Sequence, residues 1–454
     1  MSESMYNITT GMRDRGSKRS KVLVWNILTS FLVKGWTAVV MLMMIPLTLR
    51  CLGSYQNGVW LTISSILVWI DYMDIGLGNG LRNKLAVHLA HGEMKEAQCA
   101  VSSTMAMLLC VIIPILFVLL LLIWHTDVYV FLNASPTQLP ELRRALTCGV
   151  TLVCATFVLK FIGNVYMGLQ LPVVNNILTA LGQTIALIAT WILFTTGNAN
   201  FLNIVAVNTA APLLVYFLAF PYTFWGRYPS LSPSLRYIKL NKILELGNLG
   251  IKYFFLQLAG IIQFMTANLL ISKFFTPELV TPYQIAYRYI SLAMVIFTII
   301  CMPFWSATTD AYERGDMRWI QSANKKMNWI MTGLILLMIV MVMISPIIYR
   351  IWIGDVCQVL KGMTLMMAVY VFLIISSSRY SYFLSGIGAL RIQLYMWVMP
   401  IAFIPLAWFV SNQTHSIYWF MAVMCFCIMP SVIVYKIQLN KIIKGTAKGI
   451  WEVK

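Results

Sequence analysis

The sequence contains about twelve apolar runs that are each long enough to cross a lipid bilayer as a helix. A hydrocarbon core about 30 Å thick needs roughly 20 apolar residues in helical form. Lipid offers no partners for backbone N–H and C=O groups, so these runs must form helices. The predicted fold class is an all-α polytopic membrane protein. The spans lie approximately at 22–50, 56–80, 99–123, 143–168, 174–196, 201–225, 247–272, 280–305, 327–350, 361–384, 388–411 and 416–437.

The low charge content excludes a soluble protein. Only 11% of the residues are charged, whereas soluble domains carry about 25%. The basic N-terminal stretch precedes an apolar run longer than the core of a signal peptide, and no small-residue cleavage site follows it. We therefore expect a cytoplasmic tail ahead of the first span.

The positions of the basic residues predict the orientation in the membrane. With both termini in the cytoplasm, 22 of the 33 lysines and arginines lie on the cytoplasmic side and six on the outer side. This asymmetry follows the positive-inside rule. It also accounts for the net charge of +18, so nucleic-acid binding is not needed to explain that charge.

A short motif occurs twice, half a chain apart. Gly92–Ala100 reads GEMKEAQCA and Gly315–Ala323 reads GDMRWIQSA. Each copy follows the second span of a six-span set, so the two sets enter the membrane with the same orientation. This arrangement predicts two six-helix bundles related by a parallel pseudo-two-fold repeat. The predicted halves are residues 1–235 and 236–454.

Five basic residues fall inside predicted spans, where an ionisable group costs roughly 2.5–3.5 kcal/mol on insertion scales. We expect this set to form a cationic cavity that binds anions such as pyrophosphate. For Lys160 and Lys252, snorkelling to the cytoplasmic interface is the alternative, and for Arg379 it is an interfacial anchor. The candidate substrate-binding residues are Lys34, Lys160, Lys252, Arg288 and Arg379.

The only acidic residues inside the predicted spans are Asp71 and Asp74. Their spacing places them on one helix face near the cytoplasmic end of the second span. The glycine-rich stretch that follows allows bending, so this region is a candidate gate or coupling site. A structural ion pair with Arg82 or Lys84 is the alternative. The candidate gate residues are Asp71, Asp74, Gly76, Gly78, Gly80 and Asn83.

Nothing in the sequence indicates catalysis or a cofactor. His88, His91 and Glu93 lie on a short cytoplasmic segment without a further ligand, which favours a solvated helix face over a metal site. The nine cysteines are scattered and read as small buried hydrophobes. No loop is long enough for a soluble catalytic domain. We expect neither an enzyme, a metal nor a cofactor.

Four stretches resemble the polysaccharide transporter branch of the multidrug/oligosaccharidyl-lipid/polysaccharide exporter superfamily, which includes O-antigen flippases. They are LGSYQNGVW (Leu52–Trp60), DIGLGNGLRNKLA (Asp74–Ala86), PFWSATTDAYERGDMRWI (Pro303–Ile320) and IWIG (Ile351–Gly354). The resemblance implies two six-helix bundles around a cavity that opens to one side of the membrane at a time. It also implies transport of prenyl-pyrophosphate-linked oligosaccharides from the cytoplasmic to the outer leaflet.

The function expected from this resemblance is a lipid-linked oligosaccharide flippase of the bacterial inner membrane that serves cell-surface polysaccharide synthesis. Its expected partners are the lipid-linked substrate, the bilayer and the glycan assembly proteins, such as a polymerase; a monomer is expected. One alternative is an ion-coupled multidrug or metabolite antiporter of the same fold. Another is a membrane enzyme or a scaffold for the assembly machinery, although catalytic candidates are missing.

Overall fold

The computed structural model describes residues 2–71, 73, 77–239, 266–389, 391–396 and 398–453. These residues form helices and contain no strand. The helices are α1 Ser2–Asp71, α2 Leu77–Ala90, α3 Met94–His125, α4 Val128–Leu132, α5 Leu142–Leu159, α6 Phe161–Gly168, α7 Pro172–Thr195, α8 Phe201–Pro221, α9 Ala267–Phe274, α10 Pro277–Glu313, α11 Met317–Trp352, α12 Met363–Ile387, α13 Arg391–Tyr395, α14 Val398–Thr414 and α15 Ile417–Ile443.

The predicted all-α membrane fold is confirmed. Within the described ranges, ten helical stretches are long and apolar enough to cross a membrane. One of them, Leu32–Asp71, contains two predicted spans, because α1 is two helical segments joined at Gly53. The backbone of Gly53 has φ 71° and ψ 173°, a conformation open essentially only to glycine. Most of the predicted span 247–272 lies outside the described residues.

Local signals in the sequence explain several helix ends. Pro172 occupies the first turn of α7, where its missing N–H leaves no hydrogen bond unmade. The side chain of Asn200 accepts a hydrogen bond of 2.8 Å from the backbone N–H of Asn203 and so caps α8. Gly388, with φ 87°, ends α12 in the left-handed conformation.

The repeated motif forms the same turn in both places. Gly92 has φ 74° and Gly315 has φ 73°, and each glycine ends one helix immediately before an acidic residue starts the next. Five backbone hydrogen bonds of the first turn recur at the equivalent positions of the second, including the one from the residue after each glycine back across the turn. The motif is therefore a helix–turn–helix connection written twice, as a repeat requires.

The first compact unit comprises Met1–Cys51, Trp69–Val128 and Pro140–Phe255. Within it, α8 packs against α5 and α7, α3 packs against α5, and α2 packs against α6. Glycines allow two of these close approaches. A Cβ on Gly168 would lie 2.9 Å from the side chain of Leu85, and one on Gly182 would lie 3.1 Å from Pro212.

The second compact unit comprises Leu52–Val68, Tyr129–Leu139 and Leu256–Lys454. Its core is α10 packed on α12, which in turn packs on α15. The unit thus includes two segments from the first half of the sequence. The predicted boundary between residues 235 and 236 concerns the sequence repeat and stays a prediction.

A row of polar side chains ties the segment Leu52–Val68 to α9 and α10 inside this second unit. The amide of Asn57 donates to the hydroxyl of Thr281 at 3.3 Å, and that hydroxyl donates to the carbonyl of Ser54 at 2.8 Å. The amide of Asn268 donates to the carbonyl of Leu61 at 3.2 Å. Buried hydrogen bonds of this kind fix the position of one helix against another, because leaving them unmade costs free energy.

Gly58 lies on the same segment and touches Pro277 at the start of α10. A Cβ at Gly58 would lie 1.8 Å from the carbonyl oxygen of Pro277. We expect Gly58→Ala to destabilise the protein by about 1–3 kcal/mol or more, because two backbones would have to separate. The measurement is the melting temperature of the purified protein in detergent.

Gly333→Ala is the matched control, because nothing lies within 4 Å of a Cβ at that helical position. Alanine there is expected to stabilise by about 0.5–1 kcal/mol. A Gly58→Ala protein as stable as the Gly333→Ala protein would contradict the close approach.

Candidate functional site

The five basic residues predicted to form a cationic cavity have different surroundings. Lys252 lies outside the described residues. Lys34 lies on α1 with an exposed side chain and, in the described part of the chain, makes no ion pair. Two residues further on, the indole N–H of Trp36 donates to the hydroxyl of Thr184 at 3.0 Å, which fixes this part of α1 against α7.

Lys160 and Asp71 form an ion pair within the first unit. The Lys160 Nζ lies 2.9 Å from Asp71 Oδ2. Lys160 sits at the break between α5 and α6, and Asp71 is the last residue of α1. The side chains are 45% and 32% exposed, respectively, so water still reaches the pair. A predicted cavity base and a predicted gate carboxylate are thus joined in one contact.

Neutralising one member of this pair leaves a single charge at a helix end. A half-exposed ion pair contributes roughly 0.2–1 kcal/mol, so Asp71→Asn or Lys160→Met should lower the melting temperature only slightly. We expect the exchanged pair, Asp71→Lys with Lys160→Asp, to recover most of the stability lost in the two single reversals. A double-mutant cycle on melting temperatures measures the coupling, and full additivity of the two reversals would show that the pair contributes nothing.

The other predicted gate residues surround the start of α2. Gly78 and Gly80 are buried in its first turn, whereas Asn83 is exposed one turn later. The side chains of Leu77 and Leu81 on the same helix are fully buried, which anchors α2 in the first unit. Asp74 and Gly76 lie outside the described residues.

Arg379 lies on α12 and is only 6% exposed. Its Nη2 donates to the backbone oxygen of Asn324 at 2.9 Å and to the side-chain oxygen of Asn324 at 2.6 Å. Its guanidinium also lies 4.9 Å from the ring centre of Tyr380. These partners are neutral, and within the described ranges no carboxylate pairs with Arg379. The positive charge is therefore held in place but not neutralised.

Asn324 is the residue that makes this buried charge tolerable. Asn324→Ala removes the side-chain acceptor and leaves part of a buried guanidinium unpaired, which should cost about 1–3 kcal/mol. Asn328→Ala is the control, because Asn328 is exposed one turn further along the same helix. Melting temperatures of both variants measure the difference; equal values would show that Asn324 does not support Arg379.

Arg288 lies on α10, and its side chain is partly exposed. Among the residues that the structure describes, its guanidinium has no hydrogen-bond or ion-pair partner. Thr281, Gln284 and Ser291 share its helix face, since the spacings are three or four residues. This polar stripe is visible in the sequence, but our sequence analysis considered only the arginine.

Gln284 belongs to the polar row described above. Its side-chain amide donates to the side-chain oxygen of Asn268 at 2.6 Å, and Asn268 in turn holds the Leu52–Val68 segment. The stripe on α10 thus runs from buried structural contacts at Thr281 and Gln284 to the partly accessible cation at Arg288.

Each unit also contains a cavity of its own. In the first unit, a cavity of about 860 Å³ is lined by α3, α5, α7 and α8 with apolar side chains. In the second unit, a cavity of about 370 Å³ between α10 and α12 carries Tyr287, Thr298, Ser378 and Tyr382 as well as apolar residues. Of these two cavities, the second is the one lined by hydroxyl-bearing side chains. Our sequence analysis did not identify it, because its lining comes from two helices far apart in the chain.

The histidines singled out in the sequence make a local contact. His88 Nδ1 lies 2.7 Å from Glu93 Oε2, which bridges the turn between α2 and α3. Within the described ranges, no group of three or more histidine, cysteine, aspartate or glutamate side chains could hold a metal ion.

Comparison with known proteins gives a match in structure. No family model matches the chain, and no curated protein matches it. An inward-facing multidrug resistance MATE family transporter of the MOP superfamily aligns over 92% of this chain and 98% of its own, with 14% identity and a TM-score of 0.77. An outward-facing transporter of that description aligns over 92% and 97%, with 14% identity and a TM-score of 0.54.

The Vibrio cholerae MATE transporter VcmN, in its bent form, aligns over 93% of this chain and 95% of its own, with 14% identity and a TM-score of 0.59. The chain has the MATE transporter fold. At these identities the likeness is one of fold alone. The protein is therefore a multi-pass membrane protein whose substrate has to be argued from its own residues.

Proposed function

We propose that this protein is a flippase for an anionic prenyl-pyrophosphate-linked oligosaccharide in a bacterial inner membrane. The observation that carries the proposal is the pair of arginines in membrane helices of the second unit. Arg288 and Arg379 have no carboxylate partner in the described part of the chain, although an unbalanced charge in a membrane span is costly. An anionic substrate that binds during each transport cycle would offset the cost of these two unpaired charges.

Pyrophosphate is the anion that suits these groups. A guanidinium presents several N–H donors in a planar fork that matches phosphate oxygens. Arg288 is partly exposed, so it can contact the ligand. Arg379 is hydrogen-bonded to Asn324 and buried. It therefore attracts the anion through its positive charge without direct contact. Lys34 on α1 supplies an exposed cation in the first unit.

The proposed mechanism is alternating access, the cycle implied by the inward-facing and outward-facing forms of the transporters that share this fold. The arginines capture pyrophosphate from the cytoplasmic side, and the prenyl tail stays in lipid. Asp71, paired with Lys160 where α1 ends, is the proposed gate or coupling site. The protein is proposed to act as a monomer that receives substrate from glycan-synthesising enzymes and delivers it to a polymerase.

A multidrug antiporter is the second candidate, because proteins with this fold are described as multidrug resistance transporters. Organic cations require negative charge in the cavity. Asp71 is the described carboxylate that the sequence places inside a span, and it is already paired with Lys160. The balance of charge in the described spans therefore favours an anionic substrate.

The decisive experiment uses the native host. Deleting the gene should cause lipid-linked oligosaccharide to accumulate on the cytoplasmic leaflet and surface polymer to be lost, as measured by leaflet-specific labelling. The intact gene should restore both, whereas Arg288→Gln at equal protein level should restore less than about a tenth of the surface polymer, since a contact to a charged group is worth about 1.5–3 kcal/mol. Arg318→Gln, at an exposed site on α11, is the control and should restore normal polymer.

Unchanged glycan in the deletion strain would overturn the flippase proposal. A simultaneous loss of resistance to cationic drugs would then support the antiporter. If the deletion strain loses surface polymer and Arg288→Gln restores it fully, the flippase proposal stands, but Arg288 is not part of the substrate-binding site.

A further inference from the structure

The cavity between α10 and α12 has a lining that suits a sugar. Tyr287, Ser378 and Tyr382 line it, and in the described structure their hydroxyls make no protein hydrogen bond. The hydroxyl of Thr298 donates to the carbonyl of Met294 at 2.8 Å, which leaves its lone pairs free to accept. Hydroxyl groups donate and accept equally well, which is what a ligand rich in hydroxyls requires.

The aromatic residues provide flat apolar faces in the same cavity. The ring of Tyr382 lies 6.2 Å from that of Phe297 and 5.9 Å from that of Trp305, so packing from two sides fixes its orientation. A pyranose ring has a face of C–H groups, which packs on an aromatic ring, and a rim of hydroxyls. Small-molecule sites combine such apolar walls with a few placed polar groups.

Size and charge narrow the ligand class further. At about 370 Å³, the cavity lies at the lower end of the range for ligand pockets, roughly 300–1,000 Å³, and fits about one or two sugar rings. None of the described residues that line it is acidic. Arg288 directly follows Tyr287 on α10 and disfavours an organic cation nearby.

The position in the chain agrees with access from the cytoplasmic half of the membrane. Tyr287 and Thr298 lie about 15 Å and about 30 Å along α10 from Pro277, at 1.5 Å per residue. Pro277 is at the outer end in the orientation predicted by the basic residues. In that orientation the cavity lies between the bilayer centre and the cytoplasmic side, and Arg288 follows its lining residue Tyr287 in the sequence of α10.

We propose that this cavity is a sugar subsite, which binds an uncharged pyranose ring of the lipid-linked substrate while Arg288 contacts the pyrophosphate. The assignment rests on the proposed flippase function and deepens it: recognition extends beyond the lipid pyrophosphate to the first sugars. Tyr287 and Ser378 donate and accept hydrogen bonds at the ring hydroxyls, and Tyr382 packs against the C–H face.

The test is direct binding to the full-length protein in lipid nanodiscs, which avoids detergents that carry sugar headgroups. The probes are neutral methyl glycosides of glucose, galactose, mannose and N-acetylglucosamine, measured by saturation-transfer NMR and calorimetry. At least one glycoside should bind the wild type. The triple variant Tyr287→Phe, Ser378→Ala, Tyr382→Phe should bind it about tenfold more weakly or worse, with each single variant about two- to fivefold weaker.

Tyr312→Phe is the matched control, because Tyr312 lies on α10 outside the cavity, and it should bind as the wild type does. Unchanged melting temperatures and elution profiles exclude misfolding as the cause. The sugar subsite is overturned if no glycoside binds the wild type, or if the triple variant binds as tightly. It is also overturned if tetraphenylphosphonium displaces the glycoside and loses affinity in the triple variant, since the cavity would then favour cations.

These outcomes separate the subsite from the proposed function. If lipid-linked oligosaccharide accumulates on the cytoplasmic leaflet of the deletion strain but the triple variant binds glycosides as tightly as the wild type, the sugar subsite is overturned and the flippase function stands. If the deletion strain has normal glycan but glycoside binding depends on the three hydroxyls, the flippase proposal is overturned. The cavity would then be a sugar site in a transporter of another substrate.

Discussion

In a bilayer, a polar side chain within a span must find its partners inside the protein, because the surrounding hydrocarbon supplies none. This constraint organises the second unit. Asn57, Thr281, Asn268 and Gln284 form hydrogen bonds to one another or to nearby backbone groups. Arg379 relies on Asn324. Within the part of the chain that the structure describes, Arg288 and three hydroxyl-bearing residues of the α10–α12 cavity are among the polar groups that lack a protein partner.

The two units respond differently to the same constraint. The first unit joins its interior cation, Lys160, to a carboxylate, and its large cavity is lined by apolar side chains. In the second unit, Arg288 and Arg379 have no negative partner among the described residues, and the cavity wall includes hydroxyl-bearing side chains. This difference supports the proposal that the second unit recognises the polar part of the substrate, even though the same turn geometry recurs in both halves of the sequence.

Local patterns in the sequence were enough to predict the helices and the repeat. Apolar runs predict the spans, and the repeated motif predicts equivalent positions in the two halves, where Gly92 and Gly315 adopt the same left-handed conformation. Long-range partners could not be predicted, because nothing local encodes them. Lys160 meets Asp71 across 89 residues, and Arg379 meets Asn324 across 55. The hydroxyl-lined cavity could not be predicted for the same reason, because Tyr287 and Ser378 line one cavity only once α10 and α12 pack together.

The polar row that holds Leu52–Val68 also bears on how the protein is made. Asn57 meets Thr281 across 224 residues, and Leu61 meets Asn268 across 207. At about 5–20 residues per second, the ribosome adds the later partner about 10–45 s after Asn57 has been synthesised. Over that interval Asn57 has to be shielded by the insertion machinery or by transient neighbours. We therefore expect the yield of folded protein to depend most on this interval after the first two spans have inserted. A chaperone that shields Asn57, or a change in the rate of translation, should alter the yield there.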